Sequence, residues 1–140
     1  MKRLTALAVA MVFSATAAAR SIEACPELPT DSEVVWSYQE GPDFDVCYAH
    51  EHGSDATAFG VYLGNHPSFH SDSAVRIGKG RVAGKRVAWY RQESGESPWA
   101  RQTVLTLDRK SGYVAHVWVA ADTEQQLKDR LSVLERMVIR

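Results

Sequence analysis

Histidine is the side chain in this sequence whose type and spacing come nearest to chemistry. Four of the five histidines, His50, His52, His66 and His70, fall in one short stretch. Zinc or copper needs three or four such nitrogens within about 2.1 Å of one ion. The strand pattern weighs against a single site made of all four. His50 and His52 follow one strand, His66 follows its hairpin partner, and eight residues of strand hold the two ends roughly 25 Å apart. His50 with His52 and His66 with His70 remain as half-sites for a metal-handling protein; the expectation is surface histidines and no metal or other cofactor. In an acidic stretch the same four would also gain positive charge as pH falls to about 6, which is the basis for a pH sensor.

Other groups offer less. His116 alternates with Val114 and Trp118 in a strand pattern and reads as a packed histidine, because no orienting acid or nucleophile accompanies it in a local motif. Asp108 and the serines make a triad only on paper, without a Gly-x-Ser-x-Gly elbow. Asp43 and Asp45 share one side of a strand and suit acid–base work, but such a pair more often marks the solvated face of a half-buried strand. No catalytic residue is assigned. Cys25 and Cys47, the only cysteines, are not in a Cys-x-x-Cys arrangement and are expected to form one disulfide. Lipidation of Cys25 is the alternative, and Glu23 just before it speaks against that.

The compartment follows from residues 1–19. Lys2 and Arg3, the apolar run Leu4 to Phe13 and Ala17-Ala18-Ala19 read as a signal peptide cleaved near Ala19. The run is short of the roughly 18 residues of a membrane span, so no transmembrane segment is expected. The expected location is the periplasm or secreted space. Cleavage takes the formal charge from −1 to −3, which argues against nucleic acid as a partner. The charge is segregated. Ser21 to Val75 holds acids and no Lys or Arg, whereas Arg76, Lys79, Arg81, Lys85, Arg86 and Arg91 follow with no acid among them. Either the halves neutralise each other in the fold or they form a bipolar surface that steers a charged partner.

The elements that must position these groups come from periodicity. Residues 20–33, with Pro26 and Pro29, read as an irregular arm tied by the disulfide, and 34–140 as one domain. Strands are expected at 34–38, 44–49, 59–63, 75–83, 86–90, 104–107 and 113–120. A final helix is capped by Asp122 or Thr123, with Gln125 or Gln126 completing a capping box, and carries the stripe Leu127, Leu131, Leu134 and Val138. This is an α+β fold: a mainly antiparallel, meander-like sheet of six or seven strands, one face covered by the C-terminal helix.

If every strand pairs with the next, the turns at 51–56, 84–85 and 109–112 share one end, bringing Glu51 and Asp55 near Lys85, Arg109 and Lys110. The loops at 39–42, 65–73 and 92–100 and the helix start at 121–123 then share the other end. That second end gathers His66, Phe69, His70, Glu93, Glu96 and Trp99, the residues expected to bind. Trp99 is the expected exposed anchor, and Trp36, Trp89 and Trp118 are expected in the core. The expected function is a non-catalytic binding protein with an extracytoplasmic protein or small ligand as partner, in an inhibitory, protective or scaffolding role. A His-based metal-handling protein and a cell-envelope hydrolase are the alternatives.

Overall fold

The computed structural model describes residues 20–92 and 97–140; the leader read from residues 1–19 lies outside them. Seven strands form one antiparallel sheet: β1 (Val34–Glu40), β2 (Asp45–Glu51), β3 (Thr57–Gly64), β4 (Arg76–Val82), β5 (Lys85–Arg91), β6 (Arg101–Asp108) and β7 (Tyr113–Val119). The helix α1 (Glu124–Arg136) follows. The fold is α+β, with one face of the sheet covered by that helix.

The strand order is β1-β2-β3-β7-β6-β5-β4. Two meanders, β1–β3 and β4–β7, are therefore sewn together where β3 meets the last strand, from Phe59↔Val119 to Gly64↔Val114. This overturns the assignment of loops to sheet ends. Because β3 pairs with β7 and not with β4, β3 and β4 run in the same direction. The turns around Gly41, Gly84 and Ser111 share one end, here called the turn end. The turn at 52–56, Ala100 and residues 120–123 share the other, the helix-start end. The segment 65–75 belongs to neither, since it must travel from the turn end back to the helix-start end across a face of the sheet.

Both faces of the central strands carry apolar side chains, for different reasons. One face holds Cys47, Ala49, Phe59, Val61, Ala115, Val117 and Val119, all fully buried, and receives Leu127 and Leu134 from the helix and Met137 from just beyond it. Thr123 caps α1 by accepting from Gln126 N at 3.1 Å, while Gln126 Oε1 accepts from Asp122 N at 2.9 Å, so the capping chemistry falls on the second alternative of each pair. The helix stops at Arg136. Met137 is buried in the core, while Val138, expected on the stripe, is exposed and forms an antiparallel bridge with Glu27. The turn of the β4–β5 hairpin is fastened to the helix through Ala83 N to Leu134 O and Gly84 N to Glu135 O, both 2.9 Å.

Cys25 and Cys47 are joined, with Cα atoms 5.8 Å apart, tying the N-terminal arm to β2. Trp36 donates to Pro26 O at 2.8 Å and secures the same arm. The proposed meeting of Glu51 and Asp55 with Lys85, Arg109 and Lys110 does not occur, because those groups lie at opposite ends of the sheet. Neutralisation runs through other bases: Arg130 pairs with Glu51 at 3.4 Å, Arg136 with Asp31 at 2.7 Å and Arg140 with Glu27. The Arg136 side chain, hydrogen-bonded to Asp31, lowers that carboxyl below its usual range. Asp45 is buried, accepts from the Tyr38 hydroxyl and pairs with Arg20 at 3.4 Å. It is not on a solvated face, and Asp43 lies before β2 rather than in it. Burial, and then the Asp45 carboxylate, push the Tyr38 hydroxyl up to about 12.

Candidate functional site: an aromatic cleft beneath the crossing segment

The face of the sheet without the helix carries a second set of alternating residues. Registers Tyr48↔Gly60↔Trp118↔Gln102↔Tyr90 and Val46↔Tyr62↔His116 place these side chains in adjacent rows of one face. Segment 65–75 runs over them as a strap, and between strap and sheet lies a cleft of about 870 Å³. Its floor is Val46, Tyr48, Tyr62, His116, Trp118 and Gln102, and its rim includes Asp43, Phe44, Arg91 and Gln92. The strap contributes His66, Ser68, Phe69, His70, Ser73 and Ala74.

Local sequence explains how this is held. Phe69 is the strap's buried anchor: its ring stacks on His116 with centroids 5.5 Å apart and meets Tyr90 at 5.6 Å. His66 N donates to the Tyr62 hydroxyl at 3.0 Å, and Asn65 Nδ2 donates to Ser111 O at 2.5 Å, fixing the strap's first residues at the turn end. Arg91 N donates to Val75 O at 2.8 Å and fixes its last. Gly60 has a close-approach role: a Cβ there would overlap the Trp118 indole, which lies flat across the strand. Trp118 in turn meets Tyr48 edge-on at 6.0 Å and His116 at 5.4 Å.

His116 is the polar centre of the floor. It is 7% exposed, and Gln102 Oε1 stands 3.0 Å from its Nε2. With the amide oxygen facing the ring, Nε2 carries the proton and donates it to Gln102. Burial pulls the imidazole down from its usual value to about 4, so the ring is neutral at pH 7. A base this weak, with an amide and, among the described residues, no carboxylate bonded to it, is poorly matched to proton abstraction near neutrality. As a neutral hydrogen-bonding group in an aromatic surround it suits recognition.

The structure brings His66, Phe69 and His70 together on the strap, with Phe69 buried and both histidines exposed. Trp99 is elsewhere. It is half-buried and packs against the helix-side core, and its carbonyl accepts from Arg101 Nε at 3.2 Å. Glu93 and Glu96 lie outside the described residues. Trp89 is a core residue as expected, and Trp36 packs against the core and the arm, but Trp118 belongs to the cleft. Among the described residues no three His, Cys, Asp or Glu side chains form a metal-holding group. His50 Nε2 instead meets Ser37 Oγ at 2.9 Å, with its Nδ1 buried and unpartnered, and His52 is exposed.

Sequence reasoning missed Tyr48, Tyr62, Gln102 and Trp118 as site residues. Their signal was present as alternation of aromatic and polar side chains on the strand positions opposite the core set. No helix of the described residues is long and apolar enough to cross a membrane. Comparison of the chain with protein-family models, with curated proteins and with solved structures gives no match.

Proposed function

We propose that this chain is a non-catalytic binding protein of the extracytoplasmic space whose cleft accepts an apolar or aromatic group from its partner. The observation that carries this reading is the cleft itself. It is of small-molecule size, floored by the aromatic rings of Tyr48, Tyr62 and Trp118 around the neutral pair His116 and Gln102, with His66, His70, Ser68 and Ser73 on the strap and Asp43, Arg91 and Gln92 at the rim. That is the composition of a recognition site, in which apolar area supplies affinity and a few polar groups fix orientation. The disulfide is compatible with an oxidising compartment, and export by the leader 1–19 completes the proposal. An inhibitory, protective or scaffolding role fits a rigid sheet that offers one such cleft to another molecule.

The hydrolase alternative gains one observation, a strongly perturbed histidine in a cleft. The direction of that perturbation favours recognition over base chemistry, for the reasons given above.

The neutral, uncharged dye N-phenyl-1-naphthylamine tests the cleft directly. Saturable uptake of one dye per chain is expected, with its affinity reduced about tenfold in Trp118→Ala, equivalent to roughly 1.4 kcal/mol. Non-saturable uptake, or affinity unchanged in Trp118→Ala and Phe69→Ala, would remove the cleft as the site.

A further inference from the structure

The six bases between Arg76 and Arg91 all fall on the β4–β5 hairpin, and all six are exposed. Among the described residues none of them forms an ion pair, whereas Arg20, Lys128, Arg130, Arg136 and Arg140 each do. Registers Arg76↔Tyr90, Lys79↔Ala88 and Arg81↔Arg86 align Arg76, Lys79, Arg81 and Arg86 on the face that also carries the cleft, and Arg91 reaches the cleft rim. Two like charges directly opposite each other, as Arg81 and Arg86 are, disfavour the hairpin. With no acid paired to them among the described residues, these bases are available to an anion from outside the chain. In addition, β4 is the last strand of the sheet, so among the described residues its outer edge has no strand partner.

We infer that the β4 edge is a docking site for an extended acidic segment of a partner protein. The segment would lie beside β4, hydrogen-bonding to its free backbone edge. Every second side chain would then present a carboxylate to Arg76, Lys79 and Arg81. This deepens the binding-protein reading and rests on it. A lipid surface fits less well. The hairpin tip, Ala83-Gly84, is fastened to α1 and carries no apolar anchor, and a bilayer cannot supply an edge with backbone partners. The competing explanation is edge protection, since Lys and Arg on an outer strand keep it from pairing with other chains. Charge reversal separates the two, because Glu protects an edge as Lys does but repels an acidic partner.

The test is calorimetric titration of the full chain with a decapeptide of alternating glutamate and threonine, beside the same peptide with glutamine in place of glutamate. Expected are affinity at least about tenfold higher for the glutamate peptide at low salt, and a loss of about tenfold or more when sodium chloride is raised to several Debye-shortening increments, about 0.3 M. Lys79→Glu with Arg81→Glu should lose tenfold or more of that affinity while keeping the dye uptake of the cleft and a thermal midpoint no lower than the wild type's, since a carboxylate opposite Arg86 relieves the like-charge pair. Equal affinity for the two peptides overturns the inference, as does undiminished binding by the reversed variant. Binding to phosphatidylglycerol vesicles with refusal of the peptide reassigns the patch to a membrane and overturns it too. So does concentration-dependent self-association, abolished by the reversal, in a chain that refuses the peptide. Each of these leaves the cleft to stand or fall by its own dye titration.

Discussion

His116 shows how much one residue's surroundings decide. A histidine whose folded value is lowered to about 4 binds its proton more weakly in the folded than in the unfolded chain. Above the unfolded value of about 6.5 both states are neutral and folding gains nothing from pH. As pH falls from there towards 4, the unfolded chain takes up a proton that the folded one refuses, and stability is lost. The integrated cost is about 3 kcal/mol. Urea titrations at pH 7 and pH 4 should show this loss in the wild type, and His116→Gln should abolish that component of it. An unchanged pH slope in His116→Gln would contradict the assignment. Gly60 makes the complementary point about space. Gly60→Ala should displace the Trp118 ring and cost about 1–3 kcal/mol as overpacking. A reduced near-ultraviolet circular dichroism signal and weaker dye uptake would report it, and an unaltered spectrum would mean that Trp118 does not lie over Gly60.

At the scale of elements, what the sequence disclosed was local. The helix could be read from Thr123, Gln126, Leu127, Leu131 and Leu134, because capping and the 3.6-residue period involve neighbours along the chain. Strand positions followed from two-residue alternation. The pairing of β3 with β7 was not legible, since alternation tells a strand which face to bury and not which strand to meet. The error over loop ends follows from that single pairing. The cleft was hidden for a related reason. Tyr48 and Trp118 have the composition of core residues, and what makes them a site is that the one helix covers the other face. Phe69 and its neighbours His66 and His70 were legible, because an aromatic after Pro67 in a loop stands out against a polar background. The disulfide is the element whose contribution is simplest to measure. It closes a separation of 22 residues, so Cys25→Ser with Cys47→Ser should lower stability by about 3 kcal/mol in denaturant titration. A loss near zero would mean that the arm is held by Trp36, Pro26 and the Glu27–Val138 bridge alone.

The whole molecule depends on its last strand. β7 joins the two meanders, and α1 covers the face that β7 completes. A chain ending at Asp108 should therefore lack a cooperative unfolding transition, although it keeps six of the strand sequences. Urea titration followed by tryptophan fluorescence checks this, and a retained sigmoidal transition would show that the meanders stand alone. The pairing also makes the topology non-local, the kind that folds in milliseconds to seconds rather than microseconds. The two charge systems of the molecule divide along the same lines. Glu27, Asp31 and Glu51 are matched by bases of the helix and C-terminus, and among the described residues the hairpin cations enter no ion pair.

The strap has a geometric corollary. Residues 65–75 must cover the length of a strand, roughly 25 Å, and also the four strand spacings from β3 to β4, roughly 19 Å, a diagonal of about 31 Å, whereas a chain of that many residues can extend to about 36 Å. The small surplus is gathered into the bend around Pro67 and the short turn Ser71–Ser73. Cleft height is thus bounded by contour length and fixed by the Phe69 anchor on His116 and Tyr90. Lengthening or shortening this one connection would rescale the opening while leaving every rung of the sheet where it is.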